Sequence, residues 1–209
     1  MNIAIIDKYP IIRNGLRIIL TEKYNDLNIT EAETFADYYV KYYDLKLDLI
    51  ILSVEKDIFS DLNMIKKMDK LEVTILFDDT ISSKFISNFF RIGIRGYLSK
   101  LAIPSELLRC VSSVFSGQRY VETSSLDSLL SGLGKSAKEE RSQTSKLLTN
   151  KELQIATYLS EGQKTSWIAN KLGRKPSTIS TYKNNIYKKM NVDNILDLKE
   201  SIFPSRIFC

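Results

Sequence analysis

Residues Leu148–Val192 read LTNKELQIATYLSEGQKTSWIANKLGRKPSTISTYKNNIYKKMNV, three short helical patterns in succession, each with its own start and stop chemistry. Thr149-x-x-Glu152 predicts a capping box: the hydroxyl accepts from a free amide at the helix start and the carboxylate reaches back. Leu153, Ile155, Ala156 and Leu159 supply an apolar stripe, and Gly162 is placed to end the helix. A second helix is expected over Thr165–Lys171, with Ile168, Ala169 and Leu172 inward and Gly173 after it. The third opens on Pro176, suited to a first helical position because its missing N–H would have no partner there. Ile179, Tyr182, Ile186 and Met190 recur at helical spacing and should face a core, leaving Ser177, Thr178, Ser180, Thr181, Asn184 and Lys188 outside. A polar outer face is common on bundle helices and decides little alone. The ordered set of capped helix, glycine stop, short helix, tight turn and proline start is the layout of a helix-turn-helix, whose second helix enters the DNA major groove. Short hydroxyls, an amide and a cation suit base edges and phosphate oxygens.

Charge follows the same division. Between Lys146 and Asn191 nine cations meet only two acids, Glu152 and Glu161, an excess of seven. The whole chain is +5, so the remainder is net acidic by two. The positive field belongs to the end segment, as expected of a module that meets phosphates.

With 209 residues, 44% of them apolar, the chain has room for two globular domains. Met1–Leu20 lacks the basic start, apolar block and small-residue cleavage site of a signal peptide, and no apolar run approaches the roughly 18 residues of a membrane span. A cytoplasmic location is expected. There is no histidine, which removes Ser-His and Cys-His catalysis and the usual zinc ligand sets. Cys110 falls on an apolar helical face and Cys209 is the last residue; neither suggests a disulfide framework. No metal, cofactor or catalytic residue is expected.

The first 120 residues alternate between two periods. Apolar strand patterns at Ile3–Ile6, Leu27–Thr30, Leu47–Ser53, Val73–Phe77 and Gly96–Leu98 are separated by helical patterns near 11–20, 35–44, 60–68, 82–91 and 104–117. LDLIILS, at 47–53, is a continuous apolar run of the kind buried on both faces of a parallel sheet. Five strands alternating with five helices predict an α/β doubly wound five-stranded parallel sheet. From about Ser124 to Lys146 the composition turns to Gly, Ser, Lys and Glu without a core period, a linker. The expected organisation is residues 1–122 as the α/β domain, 123–146 as linker and 147–209 as an all-α helix-turn-helix domain.

With LT-x-x-E at its opening, I-A-x-x-L in the second helix and a valine after K-K-M, the end segment resembles the DNA-binding domain of the LuxR/NarL family. Carried over by position, that resemblance implies base and phosphate contacts at Ser177, Thr178, Ser180, Thr181, Asn184 and Lys188, with Lys164 and Thr165 reaching backbone. Lys183 stands where many members carry an aliphatic residue; its stem can cover core while its amine reaches a phosphate. The stretch NILDLKESIF after Asp193 resembles the family's fourth helix, often a dimer contact.

An α/β domain ahead of such a module resembles a response-regulator receiver domain, with IIDKYPIIRNGL after strand one and GIRGYLSK around strand five as supporting matches. The resemblance implies a phosphorylation pocket of two metal-holding acids, a phosphoacceptor aspartate, a Thr or Ser and a lysine. Asp7 and Lys100 are kept. The second acid is Lys8, the phosphoacceptor position is Ser53, and the Thr/Ser position falls on Asp78, or on Phe77 if the register is one residue off. A hydroxyl is a far poorer acceptor than a carboxylate in metal-assisted phosphoryl transfer, and Lys8 puts positive charge where a cation would need a ligand. Lys8 is expected either to pair with Asp7, Asp78 or both as a built-in cation, or simply to point to solvent. Glu55 and Asp57, beyond the strand end, are the remaining nearby carboxylates and weak candidates for phosphate.

The resulting expectation is an atypical, phosphorylation-independent DNA-binding transcriptional regulator, acting on double-stranded DNA as a homodimer. The main rival is an auxiliary protein that regulates by forming a heterodimer with another response regulator. A small hydrolase built on Ser53, Asp7 and Lys8 is disfavoured, because no glycines of a nucleophile elbow surround Ser53.

Overall fold

Every residue of β3, Leu49–Ser53, is buried, which places this strand inside a sheet covered on both faces. The computed structural model describes residues 1–54, 58–78, 83–122 and 148–202, without the side chains at 83–85 and 87. The described chain forms two compact units, one holding the sheet and the other the C-terminal helices.

Up to residue 121 the elements alternate as β1 (Asn2–Ile6), α1 (Pro10–Lys23), β2 (Asn28–Ala32), α2 (Phe35–Tyr42), β3, α3 (Ile58–Lys67), β4 (Thr74–Phe77), α4 (Ser83–Ile92), β5 (Gly96–Leu98), α5 (Pro104–Phe115) and β6 (Tyr120–Val121), all in the first unit except α4. All strand pairs are parallel, in the order β2-β1-β3-β4-β5-β6. The doubly wound sheet expected from the alternating periods is present, with one strand more than the five expected. That strand is two residues long and extends the sheet beyond β5, Gly96 pairing with Tyr120 and Tyr97 with Val121. Val73, expected as the start of β4, instead closes a 3-10 turn over Leu71–Val73.

The core on one side of the sheet joins Ile3, Ile5, Leu49, Ile51, Ile75 and Leu98 to Leu16 and Leu20 of α1 and Leu107, Cys110, Val111 and Val114 of α5. Cys110 is buried in it, and that burial pushes its thiol pKa far up, the behaviour of a small hydrophobe. At Gly96 an added Cβ would lie 2.6 Å from Ile75 Cγ1 and 3.1 Å from Val114 Cγ2, so the sheet and α5 approach here too closely for a side chain.

The second unit contains, besides α4, the helices α6 (Asn150–Ser160), α7 (Thr165–Lys171), α8 (Pro176–Met190) and α9 (Ile195–Ile202). Gly162 and Gly173 follow α6 and α7 with φ of +81° and +60°, the left-handed stop that glycine adopts without strain. Leu153, Ile155, Ala156, Leu159, Ile168, Ala169, Ile179, Ile186, Leu198 and Ile202 are buried. Among the described residues no helix is long and apolar enough to cross a membrane. The expected linker at 123–146, and Glu55, Asp57 and Cys209, lie outside the described residues.

Candidate functional site

Two sites follow from the residues, one on α8 and one at the carboxyl end of the sheet. α8 starts at Pro176 after an extended Lys175 and stops at Asn191, which takes the left-handed conformation at φ +54°. Asn tolerates that conformation better than most residues. Ile179 and Ile186 anchor the helix in the core, while Tyr182 and Met190, expected inward, are half-buried. On the other side Ser177, Ser180, Thr181, Asn184 and Lys188 are exposed, and Thr178 and Lys183 are half-buried. The Ser180 hydroxyl donates to the Pro176 carbonyl and the Thr181 hydroxyl to that of Ser177, both at 3.1 Å. These bonds satisfy the hydroxyl protons within the helix and leave the oxygens outward as acceptors. The Lys183 amine sits 5.3 Å from the centre of the Tyr187 ring, a cation–π contact within one helical turn. Lys164 is exposed as the residue before α7, and Thr165, half-buried, is that helix's first residue.

α8 is tied to α6 by a contact that spacing does not reveal. Thr149 and Glu152 form the expected capping box: the Glu152 N–H donates to Thr149 Oγ1 at 3.3 Å and the Thr149 N–H to Glu152 Oε2 at 2.8 Å. The same carboxylate oxygen lies 2.7 Å from Lys189 Nζ. Burial pushes the Glu152 carboxyl up, but the Lys189 ammonium and the Thr149 donors outweigh it, and the net pKa is below the usual carboxylate range. Thirty-seven residues separate the pair, so no local signal points to it. On α7, Trp167 packs edge-on to Tyr158 at 5.6 Å, with the Lys171 ammonium 5.0 Å from the indole and 5.3 Å from the phenol ring.

At the sheet, parallel register brings the ends of four strands together. Ile6 pairs with Leu52, Ser53 with Phe77, and Phe77 with Leu98. Asp7, Ser53, Asp78 and Lys100 therefore gather at the carboxyl edge, where open α/β sheets hold ligands. Phe77 is the register partner of Ser53; Asp78 follows it, its N–H donating to the Leu98 carbonyl at 3.0 Å. Asp7 is 1% exposed. Its Oδ2 accepts from Lys100 Nζ at 2.7 Å and its Oδ1 from the Tyr9 N–H at 2.7 Å. The Asp7 carbonyl accepts from the Arg13 guanidinium at 2.6 Å, and Arg13 also pairs with Glu31 at 3.3 Å. Lys8 is exposed, its ammonium 4.8 Å from the centre of the Tyr9 ring. The Ser53 hydroxyl is buried, with no hydrogen-bond partner among the described residues. Among the described residues no group of three or more His, Cys, Asp or Glu side chains is arranged to hold a metal ion.

Residues 146–200 match the family model of "Bacterial regulatory proteins, luxR family". The chain is 24% identical over 205 residues to the response regulator UvrY of Escherichia coli (strain K12), covering 95% of this chain and 91% of that one. It is 25% identical over 218 residues to the oxygen regulatory protein NreC of Staphylococcus aureus (strain MRSA252), covering 99% of each. Among solved structures it resembles RcsB of Salmonella enterica serovar Typhimurium bound to the P1flhDC promoter in the presence of phosphomimetic BeF3-, with a TM-score of 0.74 and 23% identity over 97% of this chain and 99% of that one. Residues 146–200 thus carry a luxR-family segment, and along nearly its whole length the chain, with its parallel doubly wound sheet, is similar to proteins named as response regulators.

Proposed function

We propose that this regulator binds double-stranded DNA with α8 in the major groove and does so without phosphorylation of its first domain. The observation that carries the reading is the outer face of α8, where exposed hydroxyls, Asn184 and Lys188 stand on a helix anchored from behind by Ile179 and Ile186. Ser177, Thr178, Ser180, Thr181 and Asn184 read base edges; Lys188, Lys183, Lys164 and Thr165 hold phosphates. One short helix reads few base pairs, so a homodimer on paired half-sites supplies the specificity. The domain division is 1–122, 123–146 and 147–209, and the protein acts in the cytoplasm as a regulator rather than an enzyme.

Phosphorylation independence rests on chemistry at the sheet edge. Metal-assisted transfer to a carboxylate needs acidic ligands for the cation and an ionised acceptor. Here both Asp7 oxygens are occupied by donors of the chain itself, Lys8 replaces an acid, and Ser53 offers a buried hydroxyl. Lys100 is the cation that neutralises Asp7.

The test is fluorescence anisotropy on a duplex selected by the purified protein from a random pool. Lys188→Ala is expected to weaken all sequences alike and reduce the salt slope by about one, and Ser180→Ala or Thr181→Ala to alter sequence preference. Indistinguishable effects from the two classes would refute the assigned face. Failure of the protein to bind any duplex alone would favour the heterodimer reading.

A further inference from the structure

Two cations of the helical unit stand together without an acid. Lys151 lies half-buried in the first turn of α6, and its ammonium donates to the neutral Gln154 amide oxygen at 3.2 Å. Arg174 is exposed in the turn before α8, its backbone fixed by an N–H bond to the Ala169 carbonyl at 2.8 Å. Burial, and after it the Arg174 charge, lower the Lys151 pKa, as expected where like charges approach. Glu152, next along α6, is held by Lys189 and by the Thr149 N–H. Among the described residues neither Lys151 nor Arg174 has an ion-pair partner. Lys151 also opposes the helix it sits on, since an N-terminal turn carries partial positive charge and favours anions. Both effects work against folding, so folding alone does not account for the pair. An anion between them offsets both.

We propose that Lys151 and Arg174 grip one backbone phosphate of the bound DNA, a contact outside the face assigned to α8. The inference rests on the docking of α8 proposed above. Arg174 stands just ahead of α8, at the end that carries Ser177, Thr178, Ser180 and Thr181. With those side chains on base edges, the turn behind them lies over the flanking phosphates. A guanidinium binds phosphate oxygens in bidentate fashion, and the ammonium adds a point charge. At a rise of about 1.5 Å per residue, Pro176 and Lys188 are about 18 Å apart along α8, so this phosphate is not the one Lys188 meets. Lys171, the exposed cation at the end of α7, differs: its ammonium lies against the Tyr158 and Trp167 rings.

Anisotropy of the full-length protein on the selected duplex, over a salt series, tests the contact. Lys151→Gln and Arg174→Gln are each expected to reduce the salt slope by about one, and the double variant by no more, because both groups serve one phosphate. Lys171→Gln should leave the slope unchanged. Lys151→Gln should also leave the thermal midpoint unchanged or raise it, which separates a binding role from a structural one. Among duplexes carrying a single methylphosphonate, one position should weaken the parent by about threefold or more and leave the double variant unaffected. An unchanged slope in Lys151→Gln or Arg174→Gln, additive losses, an equal loss from Lys171→Gln, or no methylphosphonate that distinguishes parent from double variant would overturn this contact alone. A parent that binds no duplex would overturn the docking of α8, and this contact with it.

Discussion

Asp7 is a buried carboxylate whose two oxygens are both claimed, one by the Lys100 ammonium and one by the Tyr9 N–H. Removing the cation alone leaves that charge buried without compensation. Lys100→Met should therefore lower the stability of the sheet unit by about 2 kcal/mol, a value discounted because Lys100 reaches partly into solvent. Asp7→Asn on top of it should restore part of the loss, a coupling that denaturant unfolding by circular dichroism measures. Glu152 supports the other unit in the same manner. Its folded pKa is depressed, so its stabilisation is fully present above the unfolded value near pH 4.3, and is lost as pH falls through the folded value. Glu152→Gln should cost about 1–2 kcal/mol at neutral pH and flatten the acid limb of unfolding. Trp167, the only tryptophan, lies on α7 and reports that unit's unfolding by fluorescence within the full chain.

Among the elements, β3 was the most legible, because an uninterrupted apolar run has few other homes than a strand covered on both faces. Thr149, Pro176, Gly162 and Gly173 marked the helix ends because their chemistry acts within one turn. β6 carried no such signal: two residues cannot display a period, and its existence depends on the free edge of β5. Val73 joined a 3-10 turn although its side chain suits a strand, since the Val73 N–H is taken by the Lys70 carbonyl. The Glu152–Lys189 ion pair has no local signal because tertiary approach sets it, whereas Asp7 and Lys100 were expected in one pocket and only their direct pairing was not. Close approach also explains Gly96. Gly96→Ala would force Ile75 and Val114 apart in a filled core, and is expected to cost about 1–3 kcal/mol, read as a lowered unfolding midpoint.

On the scale of the whole molecule, the chain joins a net acidic sheet unit to a strongly basic helical segment. Association with DNA should therefore depend steeply on salt, and the charge for that resides outside the first domain. On the proposed reading, Lys8 and Ser53 at the sheet edge stand where phosphoryl transfer would require carboxylates. The most direct test is the intact mass of the full-length protein after incubation with acetyl phosphate and Mg²⁺, paired with its affinity for the selected duplex before and after treatment. An unchanged mass and an unchanged affinity are predicted. A phosphoryl adduct accompanied by tighter binding would contradict the account and make this a phosphorylation switch with a displaced acceptor.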